Sequence, residues 1–231
     1  MPAMTTTFRE RFDAVCAALR AHPELEVYGA ELPAPASARE LAAAEEFLGA
    51  PLPADIREFY AAHNGAYLEW GRRGRSYERT GFGGYPDYGS APGMINILPL
   101  ADVMSGHWQD EYHVNEVSDE HLRRIFGAVP ENTPVTAVCV DNFDKYYHGD
   151  LILGPAPVMI VSTDHGADME ASDWVTFATY LDMTLALYGA NRYTMGIGIG
   201  WSREPALRER FDERPSLDAI VARIAADEAD D

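Results

Sequence analysis

Apolar positions recur with helical spacing at the start of the chain, where Phe8, Phe12, Val15 and Leu19 lie four, three and four residues apart and share one helix face. The Pro-rich segment 32–35 interrupts that pattern. Ser37 and Glu40 then stand three apart ahead of Leu41, Ala44 and Leu48, the S-x-x-E arrangement in which each side chain caps the other's backbone, so a second helix is predicted with Gly49 as its stop. A third begins at Pro53 as first helical residue, carries Ile56, Phe59, Tyr60 and His63 on one stripe, and ends at Asn64-Gly65, which tolerate positive φ. Residues 71–93, rich in Gly, Arg, Tyr and Pro without sustained period, read as a long mobile loop. Short strands are predicted at 95–98, 133–140, 146–153 and 158–163, with Asp, Gly and Pro between them suited to antiparallel connections. Ser172 or Asp173 caps a long helix with Trp174, Phe177, Leu181 and Leu185 on one face, ending at Gly189. After the glycine-rich run 195–201, Leu217, Ile220, Val221 and Ile224 mark a terminal amphipathic helix, and the acidic tail 227–231 is expected to fray.

Charge changes the picture more than composition does. The 231 residues carry 18 basic against 37 acidic side chains, a net charge of −19. Such an excess repels phosphates, which argues against nucleic acid and anionic membrane as partners. Apolar residues make up 47% and charged ones 24%, ordinary for a globular chain of one large or two small domains. No apolar run approaches the ~20 residues of a membrane span, and the first residues lack a signal-peptide core, so a cytoplasmic protein is expected. Cys16 and Cys139, far apart and without metal-finger spacing, read as core thiols in a reducing compartment. Lys145 is the only lysine, a bias attributed to codon usage. Residues 101–173 hold 14 acidic residues against 3 basic ones, a local charge of −11.

The stretch 41–65 resembles the signature of the SUKH superfamily, which includes yeast cell-wall assembly regulators and bacterial immunity proteins. An acidic helix ends in Gly49, Leu52-Pro53 follows, the next helix carries Phe59-Tyr60, and Asn64-Gly65 closes it. Residues 97–103 look like the family's strand and Pro-started helix, and 173–181 like its closing segment. The resemblance implies an α+β fold, a small mainly antiparallel sheet packed with helices. Residues 37–188 would form the SUKH-like domain, with 1–36 an N-terminal helix extension and 189–231 a C-terminal helical one. Most of the signature has a physical reading: Gly49 and Gly65 end helices, Pro53 starts one, and Phe59 and Tyr60 fill the core between them.

Candidate chemistry is thin beside this. Asp141, Asp144, His148, Asp150, Asp164, His165, Asp168 and Glu170 gather carboxylates and imidazoles around the predicted strands, but no H-x-E, HExxH or EF-hand spacing appears, so turn residues and an acidic face outweigh a metal site. There is no G-x-S-x-G elbow, and the glycines of 195–201 lack the spacing and Lys of a phosphate loop. No cofactor, no metal and no catalytic residue is expected. Concentrated negative charge speeds encounter with a cationic partner. Trp108, Tyr112, Tyr146 and Tyr147 interleave with Asp110, Glu111, Asp144 and Asp150, and these eight are the expected partner-binding residues. With the resemblance, the leading expectation is an immunity protein that neutralises a cognate, basic, nuclease-type toxin domain. A regulator or scaffold related to cell-wall assembly is the alternative, and a metal-dependent hydrolase on the 141–170 carboxylates the third reading.

Overall fold

The computed structural model describes residues 6–105, 136–145, 147–153, 157–163, 170–171, 175–190 and 215–230. Helix α1 (Phe8–Ala21) starts at a reciprocal cap, Thr7 and Glu10 each bonding the other's backbone N–H, and buries Phe12, Val15, Cys16 and Leu19. Strand β1 (Leu25–Glu31) leads to α2 (Ala38–Leu48), which has the expected Ser37–Glu40 box and a left-handed Gly49 at its end. Helix α3 (Ala54–Ala62) buries Ile56, Phe59 and Tyr60. Pro53 is its N-cap, one position earlier than expected, since its extended ψ of 144° leaves it outside the helical turn.

Strands β2 (Ala66–Arg72), β3 (Gly93–Ile97), β4 (Thr136–Asp141), β5 (Tyr147–Leu153), β6 (Val158–Thr163) and β7 (Glu170–Ala171) join β1 in one antiparallel sheet in chain order, with α4 (Leu100–Val103) between β3 and β4. Helix α5 (Phe177–Ala186) and α6 (Leu217–Asp230) complete the described elements. The chain is thus α+β, as the resemblance implied. Pairing of β3 with β4 is confined to Ile97 opposite Asp141, and the gap beyond is filled by the turn after α5, where Met94 N–H donates to Gly189 O at 2.8 Å and Trp70 Nε1–H to Tyr188 O at 2.6 Å.

Alternation along the strands sorts the sheet into two faces. Ala66, Leu68, Trp70, Ile95 and Ile97 belong to the core that also holds the buried stripes of α1, α2, α3, α5 and α6. Tyr67, Glu69 and Asn96 point the other way, yet are buried as well. That second buried layer is why β2 escapes a sequence reading: its burial lacks the period of two that betrays a strand with one wet face. In β1 the register shifts between Val27 and Gly29, which interrupts the same period.

Helices α1 and α6 both dock on this body. Phe8 packs edge-on against Phe59 with centroids 5.2 Å apart. Arg9 approaches His63 Nδ1 at 3.3 Å; a guanidinium only donates, so Nδ1 accepts and the proton sits on Nε2. Burial, then the Arg9 charge, holds the imidazole pKa below its usual value. Helix α6 buries Ile220, Val221 and Ile224, and it runs on to Asp230 where fraying was expected. Glu228 supplies the reason: it accepts from Tyr77 Oη at 2.5 Å and Arg72 Nη1 at 3.1 Å, with Arg75 Nε at 3.6 Å. Helix α5 is shorter than expected, because Thr176 caps it while Val175 exchanges backbone bonds with Met159 in the sheet.

Candidate interaction surface

The segment 73–92, expected to be mobile, is fastened across the outer face of the sheet by the buried polar side chains there. Glu69 accepts from Tyr67 Oη at 2.5 Å, Arg79 Nε at 2.9 Å and the Thr80 N–H at 3.1 Å, while Tyr67 Oη accepts from the Gly81 N–H at 2.9 Å. Asn96 reads the next turn in both senses: its Oδ1 accepts from Gly83 N–H and its Nδ2 donates to Gly84 O, each at 2.9 Å. Asn142 Nδ2 donates to that same carbonyl at 3.1 Å. An unpaired buried carboxylate or amide is costly, so each of these groups has reason to hold the loop down. Glu69→Leu should therefore release the segment, raising amide exchange at Thr80 and Gly81 more than about tenfold while the β2–β3 amides stay protected. Equal protection in the variant would mean that something other than Glu69 fastens the loop.

Beyond Gly84 the fastened loop lifts two tyrosines into solvent. Tyr85 is 41% and Tyr88 65% exposed, and with Phe47 on α2 they are the exposed large hydrophobic side chains among the described residues. Lys145, in the turn after β4, lies over the Tyr88 ring and pairs with Asp87. The sequence reading missed this patch. The only signal was the Tyr-Pro-Asp-Tyr string at 85–88, and nothing local says that such a string will be held rigidly above a sheet.

The expected partner-binding residues fare differently. Trp108, Asp110, Glu111, Tyr112 and Tyr146 lie outside the described residues. Tyr147, at the start of β5, is half-buried against the core. Asp144 and Asp150 are 2% and 0% exposed, so neither presents charge to solvent as a steering residue must. Asp150 pairs with Cys139 across β4–β5, and its Oδ2 lies 4.0 Å from His148 Nδ1. Asp141 is also inside: its Oδ2 accepts from Tyr180 Oη at 2.7 Å and its Oδ1 from the Asn96 N–H at 2.8 Å. Burial pushes its pKa up to about 6 despite these two bonds, which pull the other way. Of the acidic segment's carboxylates, Asp141, Asp144 and Asp150 are therefore buried, while Asp102 is exposed. Among the described residues no group of three His, Cys, Asp or Glu is arranged to hold a metal. Both cysteines are buried and their thiol pKa is raised, Cys16 to about 11, the opposite of an activated nucleophile.

Several signature residues make contacts that build the fold. Leu52, Phe59 and Tyr60 are buried, and Tyr60 Oη donates to Leu98 O at 3.0 Å. Asn64 ties three elements, donating to Glu40 Oε1 at 3.1 Å and accepting from the Leu100 N–H at 2.9 Å. Gly65 has φ of 104°, and a Cβ there would meet Ile97 O at 2.5 Å. Asn64→Ala should cost about 1–3 kcal/mol, because it leaves the Leu100 N–H without its partner; chemical denaturation measures it, and a change under about 0.5 kcal/mol would demote the residue to an ordinary surface site.

Among the described residues no helix is long and apolar enough to cross a membrane. No curated protein matches the sequence. The model of the SMI1 / KNR4 family (SUKH-1) matches residues 35–182, well over half of the chain and the stretch that contains α2, α3 and the whole sheet from β2 onward. The chain belongs to the SMI1 / KNR4 family (SUKH-1).

Proposed function

We propose that this chain is a bacterial immunity protein, acting in the cytoplasm, that neutralises a cognate toxin domain by stoichiometric binding and catalyses nothing itself. The observation that carries the reading is the pair of exposed tyrosines on a loop fastened to buried groups of the sheet. Rigid aromatic side chains supply contact area at low entropic cost, which is what a binding surface needs and a solvated loop does not. Membership of a family of immunity proteins and cell-wall assembly regulators supports a protein partner. The net charge of −19 favours a basic one, as a nuclease-type toxin domain would be. We take 37–188 as the unit that carries this activity, with α1 and α6 as flanking helices. Nothing supports the hydrolase reading: Asp141, Asp144, His148 and Asp150 are buried, and Asp164, His165, Asp168 and the side chain of Glu170 lie outside the described residues.

The test is co-purification with any toxin domain that the neighbouring genes encode, followed by association kinetics across ionic strength. A one-to-one complex that abolishes the toxin activity is expected, with an association rate that falls as salt shortens the reach of exposed charge to ~8 Å. The double variant Tyr85→Ala, Tyr88→Ala should speed dissociation by roughly 10- to 30-fold if the pair anchors the interface. A complex that leaves toxin activity untouched would favour the regulator reading, and the absence of any complex would overturn both.

A further inference from the structure

In the turn 85–90 a carboxylate and an aromatic face are fixed side by side. Asp87 Oδ1 accepts from the Tyr88 N–H at 2.7 Å, and Asp87 O accepts from the Ser90 N–H at 3.1 Å, closing the turn. Asn96 and Asn142 hold the preceding residues through Gly83 and Gly84. The Asp87 side chain is 58% exposed and Tyr88 more so. A carboxylate beside an aromatic face is the recognition unit for a cationic side chain, since the ring quadrupole and the negative charge act on the same group. Here that group is the chain's own Lys145, whose Nζ lies 3.4 Å from the Tyr88 centroid while pairing with Asp87. Tyr85 is near enough to contribute to the raised pKa of this ammonium, of which the Asp87 bond is the main cause.

An ion pair and a cation–π contact near the surface are each worth at most about a fivefold factor in an equilibrium constant, so the lysine can be exchanged for a group that makes both contacts better. A guanidinium is planar and more weakly hydrated than an ammonium; it both stacks on a ring and forks onto a carboxylate, and it would outcompete the resident. We propose that Asp87, Tyr88 and Tyr85 form a receptor for an arginine side chain on a basic protein partner, and that Lys145 is a resident stand-in which the arginine displaces. The inference rests on the neutralising reading above and adds the chemistry of its contact. The net charge of −19 makes an arginine-bearing surface the matching partner.

The single lysine makes the test direct. In protein labelled with carbon-13 only in lysine, the one side-chain signal should lie upfield of its open-chain position because of the Tyr88 ring current, and a hexa-arginine peptide should move it to that position. Tyr88→Leu should start at the open-chain position and bind the peptide about two- to fivefold more weakly. Lys145→Met, which removes the competitor, should bind it up to about fivefold more tightly. A Lys145 signal at its open-chain position in the free protein, or one that stays in place while the peptide saturates, would overturn the receptor, as would weaker binding by Lys145→Met. The two readings separate cleanly. If a basic partner binds and Lys145 does not move, the receptor fails and neutralisation stands; if arginine displaces Lys145 but no protein partner binds, the reverse holds.

Discussion

Phe59→Ala should cost about 3–5 kcal/mol, a large share of the ~5–15 kcal/mol that holds a domain of this kind together. The ring is where three helices meet. It packs edge-on against Phe8 of α1 at 5.2 Å, Tyr60 of α3 at 5.1 Å and Phe177 of α5 at 5.4 Å. Truncation removes aromatic area and leaves a cavity whose walls belong to separate elements, each held in place by its own contacts with the sheet, so collapse is hindered. Urea unfolding of variant and parent measures the loss. A change within roughly 0.5 kcal/mol, the range of a surface substitution, would show that α1 and α5 do not converge on α3 as described.

Asp141→Asn should stabilise the protein at neutral pH by about 3 kcal/mol, an unusual direction for a change at a fully buried position. The folded-state pKa of Asp141 is raised from 3.8 to about 6. Between those values the folded protein holds a proton that the unfolded chain has released, so stability falls as pH rises through the window and stays low above it. Two pKa units correspond to about 3 kcal/mol. The amide keeps both contacts: its oxygen accepts from the Asn96 N–H, and its NH2 donates to Tyr180 Oη. Lowered pKa values at Glu10, Glu40 and Asp87 tilt the parent curve the other way, which makes the difference between variant and parent the quantity to measure. Unfolding free energies at several pH values from 4 to 7.5 should show that difference growing with pH up to about 6, then level. A difference independent of pH would mean that Asp141 is ionised throughout. Tyr180→Phe, by contrast, should destabilise at neutral pH by removing a donor from a buried carboxylate.

Helices α1, α2, α3 and α6 were legible because each carries an apolar stripe, to which α2 adds its Ser37–Glu40 cap and Gly49 stop and α3 its Pro53 start and Asn64-Gly65 stop. Strands β4, β5 and β6 were legible from apolar runs between turn residues, and the 41–65 motif from its residues in order. These are local properties, set within a few residues by sterics and hydrogen bonding, and a sequence displays them. Glu69, Asn96, Asp141 and Asp150 are different. In the sequence they are polar residues like any others, and Asp150 was taken for a steering charge. The 73–92 loop crosses over Glu69 and Asn96, and Tyr180 from α5, 39 residues away, meets Asp141. Likewise, Lys145 reads as codon bias until the fold sets it over Tyr88, 57 positions earlier in the chain. The local chemistry of the sequence determined the helices, most strands and the family. Only the tertiary structure decided which charges are interior supports and which face water, because desolvation is a property of the whole packed neighbourhood and not of any stretch of chain.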